Sequence, residues 1–170
     1  IRGIGERSQY FGEGAPNFSV GFILDDMELS GLGMLGNLFD LNQIEVFRGP
    51  MSSVFGTNSL AGLISLRSNN PGDTIRIKSL LSGGTDNYLS LGTMLNLPVN
   101  NKLQFRFSGS ILQSDGFRYN KFRESSDSNK KDEQFIRVKL NYKPLKNFKV
   151  LSTLIYACLL YTSDAADEGF

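Results

Sequence analysis

The chain has 170 residues, 40% of them hydrophobic and 21% charged, with 18 Lys/Arg against 17 Asp/Glu, no histidine and a single cysteine. That length holds one core, or a small domain and part of a second. The composition excludes a disulfide framework, a cysteine-based metal site and histidine general-base chemistry. The formal charge of +1 conceals two unlike parts. Residues 1–73 carry four Lys/Arg and eight Asp/Glu, a net of −4, whereas residues 74–157 carry fourteen and six, a net of +8. No run reaches the roughly 18 apolar residues of a membrane helix, and no basic segment leads into an apolar core at the start.

In chain order, SVGFILDDMEL predicts a strand running into an acidic turn, and LFDLNQIEVFRG a short amphipathic segment leading to a strand. The next stretch, from Arg48 to Gly62, is punctuated by glycine. Gly49 suits a close backbone approach, Pro50 the first position of a helical turn, and Gly56 a left-handed end to that turn. LAGLISLRS predicts a further strand, with Leu63, Ser65 and Arg67 on one face and Ile64, Leu66 and Ser68 on the other. These elements together predict a small mixed α/β unit.

From Thr74 the apolar period becomes two. Leu103, Phe105, Phe107, Gly109 and Ile111 alternate with Gln104, Arg106, Ser108 and Ser110, and Ile136, Val138, Leu140 and Tyr142 alternate with Arg137, Lys139 and Asn141. YLSLGTMLNL alternates more weakly, through Leu89, Leu91, Leu95 and Leu97. With TIRIKSLLSG and FKVLSTLIYA, five strands are predicted. PVNNK and KPLKN are tight turns that fall on one rim, while GGTDN and the long polar excursion from Gln113 to Gln134 fall on the other. Short turns on one side and longer loops on the opposite side match an outer-membrane barrel with an apolar outside and a polar inside. A soluble β-sandwich shows the same alternation, so the period alone leaves both open.

The end of the chain stands apart. CLLYTSDAADE, Cys158 to Glu168, resembles the translation of a transposase adaptor used in preparing sequencing libraries, and residues 158–170 are set aside from the fold reading.

Three motifs in order resemble the TonB-dependent outer-membrane receptors. IRGIG, with Arg2 and Gly3, is similar to the opening of a plug motif. VGFILDDMEL resembles a segment usually read as Val-Asp-Gly-Val, with Asp25 in the acidic place and Asp26 where glycine is usual. IEVFRGPMSSVFGTNSLAGLISLRSNNP resembles the long signature that closes the plug and enters the barrel; it contains Glu45, Arg48, Gly49, Pro50, Gly56 and Gly62. Phe47 and Met51 depart from the residues common there, without touching these positions.

The resemblance implies a specific organisation. Residues 1–73 are a plug domain truncated at its N-terminus, an α/β fragment, and residues 74–157 are the first four or five antiparallel transmembrane strands of an incomplete β-barrel. It further implies the bacterial outer membrane and its lipid as surroundings, and TonB as a partner through a segment upstream of Ile1, where an export signal is also expected. The ligand is a small scarce molecule, a siderophore or a cobalamin-like metal chelate, with no catalytic, cofactor or metal site and no enzymatic activity. Glu45 and Arg48 are then expected to meet charges on the barrel's inner wall; the simpler reading of the two is a solvated pair worth at most about 1 kcal/mol.

Competing signals are weaker. GLGMLG, Gly31 to Gly36, satisfies G-x-G-x-x-G, but no buried strand precedes it and no acid stands about twenty residues on to hold a ribose. Arg106, Arg137 and Lys139 are cationic but occupy polar strand faces, which points to a lumen lining and away from nucleic acid. The alternative from another class is a soluble β-rich adhesion or carbohydrate-binding module.

Overall fold

Val20–Leu24 is an apolar run stopped by two aspartates, and it forms β1. Asp25 and Asp26 take φ of 48° and 67°, and the chain reverses into β2, Met27–Glu28, with Leu24 opposite Met27. A two-residue hairpin with both central residues at positive φ favours glycine, asparagine or aspartate. Asp26 therefore meets a backbone demand at a position where glycine is usual in the receptors the motif resembles.

In the computed structural model the chain divides into two units, Ile1–Asn69 and Asn70–Phe170. The structure describes residues 20–29, 38–51, 59, 61–116, 118–120, 125–128, 130–145 and 147–161. The first unit holds a four-stranded mixed sheet in the order β2-β1-β4-β3, with β3 at Leu41–Arg48 and β4 at Gly62–Ser68. β4 pairs parallel with β1 and antiparallel with β3. Leu63 and Leu66, three apart and on opposite faces of this inner strand, are both buried, so β4 is covered on both faces.

The described residues of this unit carry strands only, which leaves the helical part of the expected α/β unit without support there. The amphipathic segment before β3 is a turn: Asp40 adopts φ of 60°, and its carbonyl accepts the Asn69 N–H at 3.2 Å. The helical turn expected between Pro50 and Gly56 falls on residues 52–58, outside the described residues. On either side of it, the Gly49 N–H donates to Ala61 O at 3.2 Å and the Met51 N–H to Ser59 O at 2.9 Å, extending the β3–β4 pairing.

The second unit is an antiparallel sheet in the order β11-β10-β7-β6-β5, and its strands fall where the two-residue period predicts. They are β5, Arg76–Gly83; β6, Leu89–Asn100; β7, Leu103–Ser114; β10, Lys131–Leu145; and β11, Phe148–Tyr161. The polar excursion contains a small two-stranded sheet of β8, Arg118–Asn120, and β9, Ser125–Ser128. β11 continues past Ala157, with Cys158 opposite Gln134 and Leu160 opposite Asp132. The ladder thus runs into the adaptor-like residues, because backbone pairing along β10 continues whatever side chains the next residues carry.

The two tight turns share a rim, where the Lys143 N–H donates to Lys102 O at 2.7 Å. On the other rim the Asp115 N–H donates to Asp86 O at 2.8 Å, and the Asn87 amide bonds the Asp115 carboxylate. No helix among the described residues is long and apolar enough to cross a membrane, which says nothing of crossing by strands.

Candidate functional site: a polar wall and an anchored linker

The register of the second unit sorts its side chains into rows. Ile77, Leu95, Phe107, Val138 and Leu154 are successive cross-strand partners, an unbroken apolar row over all five strands. One residue along, the partners are Arg76, Asn96, Arg106, Lys139 and Thr153, an unbroken polar row on the opposite face. Burial is inverted relative to a water-soluble sheet. The polar face is covered, with Arg137 and Gln104 each 1% exposed and Lys139 3%, whereas Ile77 is 71% exposed and Leu154 69%. Arginine and lysine are almost never fully buried unless paired.

Several contacts make this burial tolerable. Arg106 and Lys139 lie directly opposite each other, where like charges repel. Amide oxygens offset this: Asn70 Oδ1 accepts from Lys139 Nζ at 3.2 Å, and Asn96 Oδ1 lies 3.5 Å from Arg106 Nη1. The Arg137 guanidinium also sits 5.4 Å from the centroid of the Phe135 ring, a cation–π distance.

Residues 70–74 cross this wall. Asn96 accepts from the Gly72 N–H at 2.9 Å and donates to Gly72 O at 2.9 Å and Thr74 O at 2.6 Å, so its amide satisfies backbone as a neighbouring strand would. Gln104 donates to Asp73 Oδ1 at 3.0 Å and accepts from the Asn141 amide. These bonds place residues 70–73 with the second unit and put the division at Asn69, ahead of the composition change after Asp73.

On the other side of that division, the exit of β4 is held by aspartates. Asp25 Oδ1 accepts the Ser68 N–H at 2.8 Å, its other oxygen accepts the Ser68 hydroxyl, and its own N–H donates to Leu66 O at 3.0 Å. Asp40 Oδ1 accepts from the Asn69 amide at 3.0 Å. Asp25, expected from its motif, therefore has a definite local task.

The other expected residues fare variously. Arg2, Gly3 and Gly56 lie outside the described residues. Glu45 and Arg48 sit three apart on β3, facing Ser65 and Gly62 in the ladder, so their side chains leave opposite faces and do not form a pair with each other. Glu45 accepts from the Gln43 amide at 2.8 Å, and Arg48 and Pro50 are exposed. Gly49 is not needed for a close approach, since a Cβ there would meet nothing within 4 Å; its φ of +117° is the constraint. Gly62, at φ 152°, is also on the positive side. Gly49→Ala is accordingly expected to cost about 1–3 kcal/mol, read as a lowered urea midpoint for the first unit; an unchanged midpoint would show that the loop relaxes freely.

Asn96, Asp40 and Ser68 were not singled out from sequence. Asn96 alternates with Leu95 and Leu97, the pattern that marks a wall residue, but one asparagine among leucines carries no sign of the backbone it binds. Among the described residues, no three or more Asp, Glu, Cys or His side chains gather as metal ligands.

No family model matches the chain. The vitamin B12 transporter BtuB of Vibrio vulnificus (strain YJ016) is 28% identical over 132 residues, 74% of this chain and 22% of that protein. Among solved structures, the ferric yersiniabactin uptake receptor FyuA from Yersinia pestis superposes with a TM-score of 0.73 at 20% identity, covering 84% of this chain and 23% of that one. The ferric-catecholate import receptor Fiu from E. coli K12 gives 0.68 at 14%, covering 89% and 22%. The pyoverdine outer membrane receptor FpvA from Pseudomonas aeruginosa PAO1 gives 0.66 at 15%, covering 83% and 21%. The chain spans about a fifth of the length of each of these proteins.

Proposed function

We propose that the chain is part of a TonB-dependent outer-membrane receptor, like the relatives it resembles, and that it supplies the later part of a plug and the opening strands of a barrel for active uptake of a scarce small ligand. The observation that carries this reading is the pair of adjacent rows: apolar side chains such as Ile77, Phe107 and Leu154 exposed along one face, and polar and cationic ones on β6, β7 and β10, among them Asn96, Gln104, Arg137 and Lys139, buried along the other. That is the lipid-facing and lumen-facing division of a transmembrane barrel. β6, β7 and β10, at 12, 12 and 15 residues, exceed the roughly 9–11 a tilted spanning strand requires. A soluble adhesion or carbohydrate-binding module has no reason to leave Ile77, Phe107 and Leu154 in water.

The relatives are named for vitamin B12, ferric yersiniabactin, ferric catecholates and pyoverdine, which supports a siderophore or cobalamin-like chelate as the ligand class. TonB supplies the pull that rearranges the plug, and no covalent bond of the ligand changes. Deleting the complete gene is expected to abolish growth on one defined cobalamin or ferric-siderophore source. Unimpaired growth on all of them would refute the uptake reading.

Arg48, the signature cation at the end of β3, is expected to serve plug movement in place of ligand capture. In the full-length receptor, Arg48→Ala should impair uptake of the identified chelate while leaving its binding to whole cells largely intact. Normal uptake by that variant would remove Arg48 from the mechanism.

A further inference from the structure

Two consecutive residues are tied to different units. Asn69 is held within the first, its N–H on Asp40 O and its side-chain amide on Asp40 Oδ1, directly after Ser68 is held by Asp25. Asn70 is held within the second, by Lys139 Nζ at 3.2 Å. From there the anchoring is continuous: Gly72 and Thr74 on Asn96, and Asp73 on Gln104. The wall residues involved come from β6, β7 and β10, and Asn96 and Gln104 are each 1% exposed.

We propose that residues 70–74 form a docked tether, positioned chiefly by Asn96, which belongs in stability to the wall, with the boundary of cooperative unfolding at the Asn69–Asn70 junction. Freeing residues 70–74 would strand the buried Asn96 amide and leave the cross-strand Arg106–Lys139 repulsion without the Asn70 oxygen, each costly away from water. Residues 70–74 therefore share the local stability of β6 and not that of β4. This goes beyond the uptake reading and stands on bonds within each unit, so its test is independent of whether any ligand is carried.

Hydrogen exchange of the full-length receptor across a urea series reads the boundary. Amides of residues 72–76 are expected to stay protected alongside those of β6 after the amides of β4 have begun to exchange. Asn96→Ala should accelerate exchange at residues 72–76 by about tenfold or more while β10 and β11 keep their protection. Asn96→Asp retains the acceptor for the Gly72 N–H and loses both donors, so it should fall between wild type and Asn96→Ala. Gln104→Ala leaves Asn96 in place and should give a smaller rise in the same direction, which keeps the boundary readable where Asn96→Ala fails to fold. Exchange of residues 72–76 together with β4 in the wild type, or unchanged exchange in both alanine variants, would overturn the proposal.

Discussion

Leu154→Arg is expected to destabilise the full-length receptor in lipid vesicles by about 2–4 kcal/mol, the cost of placing arginine near the midplane on the lipid face of a barrel. Leu154 is 69% exposed and closes the apolar row that begins at Ile77. In a water-soluble protein the same exchange at so open a position falls within about 0.5 kcal/mol of neutral. The magnitude therefore separates the two environments that the two-residue period leaves open. Urea unfolding of the vesicle-inserted receptor measures it; a neutral result would mean that this face meets water, and the barrel reading would fail. An exchange one residue away, Thr153→Ser on the polar row, controls for a general effect of mutating β11.

Asp25→Ala is expected to cost the first unit about 3 kcal/mol. A hydrogen bond to a charged group contributes about 1.5–3 kcal/mol, and the Asp25 carboxylate accepts both the N–H and the hydroxyl of Ser68, which is 4% exposed. Alanine removes both acceptors, leaves a buried N–H without its partner, and forces a residue with no local hydrogen bond into φ of 48°. Asp25→Asn is the milder exchange: it keeps one acceptor and tolerates the left-handed conformation, so its cost should be about 1 kcal/mol. Exchange rates of the Leu63 to Leu66 amides report the difference, since β4 is the strand whose exit Asp25 holds. Equal rates in wild type and Asp25→Ala would show that Ser68 is secured by other means.

The second unit was the more legible from sequence, because a strand with one apolar and one polar face writes its period into every second residue. Leu103 to Ile111 and Ile136 to Tyr142 placed β7 and β10 with their faces correctly sorted, and the contrast between PVNNK and the Gln113–Gln134 excursion placed the rims. β4 was harder. Buried on both faces, it carries apolar residues at both parities, so the alternation of Leu63 and Ser65 against Ile64 and Leu66 says little about which side is covered. The segment before β3, read only as short and amphipathic, is a turn at Asp40, and the bonds from Asn69 to Asp40 show it. Gly49 was noticed for the right residue and the wrong cause, since neighbours decide close approach while backbone angle decides the need for glycine.

By itself, the order of residues determined the five alternating strands and the acidic turn at Asp25-Asp26, because these depend on local period and local backbone preference. Tertiary structure alone decided which face is covered, that Glu45 and Arg48 part to opposite sides of β3, and that Asn96 and Gln104 hold a segment more than twenty residues earlier in the chain. Those facts depend on strand register, and register is a relation between distant segments that neither segment carries alone.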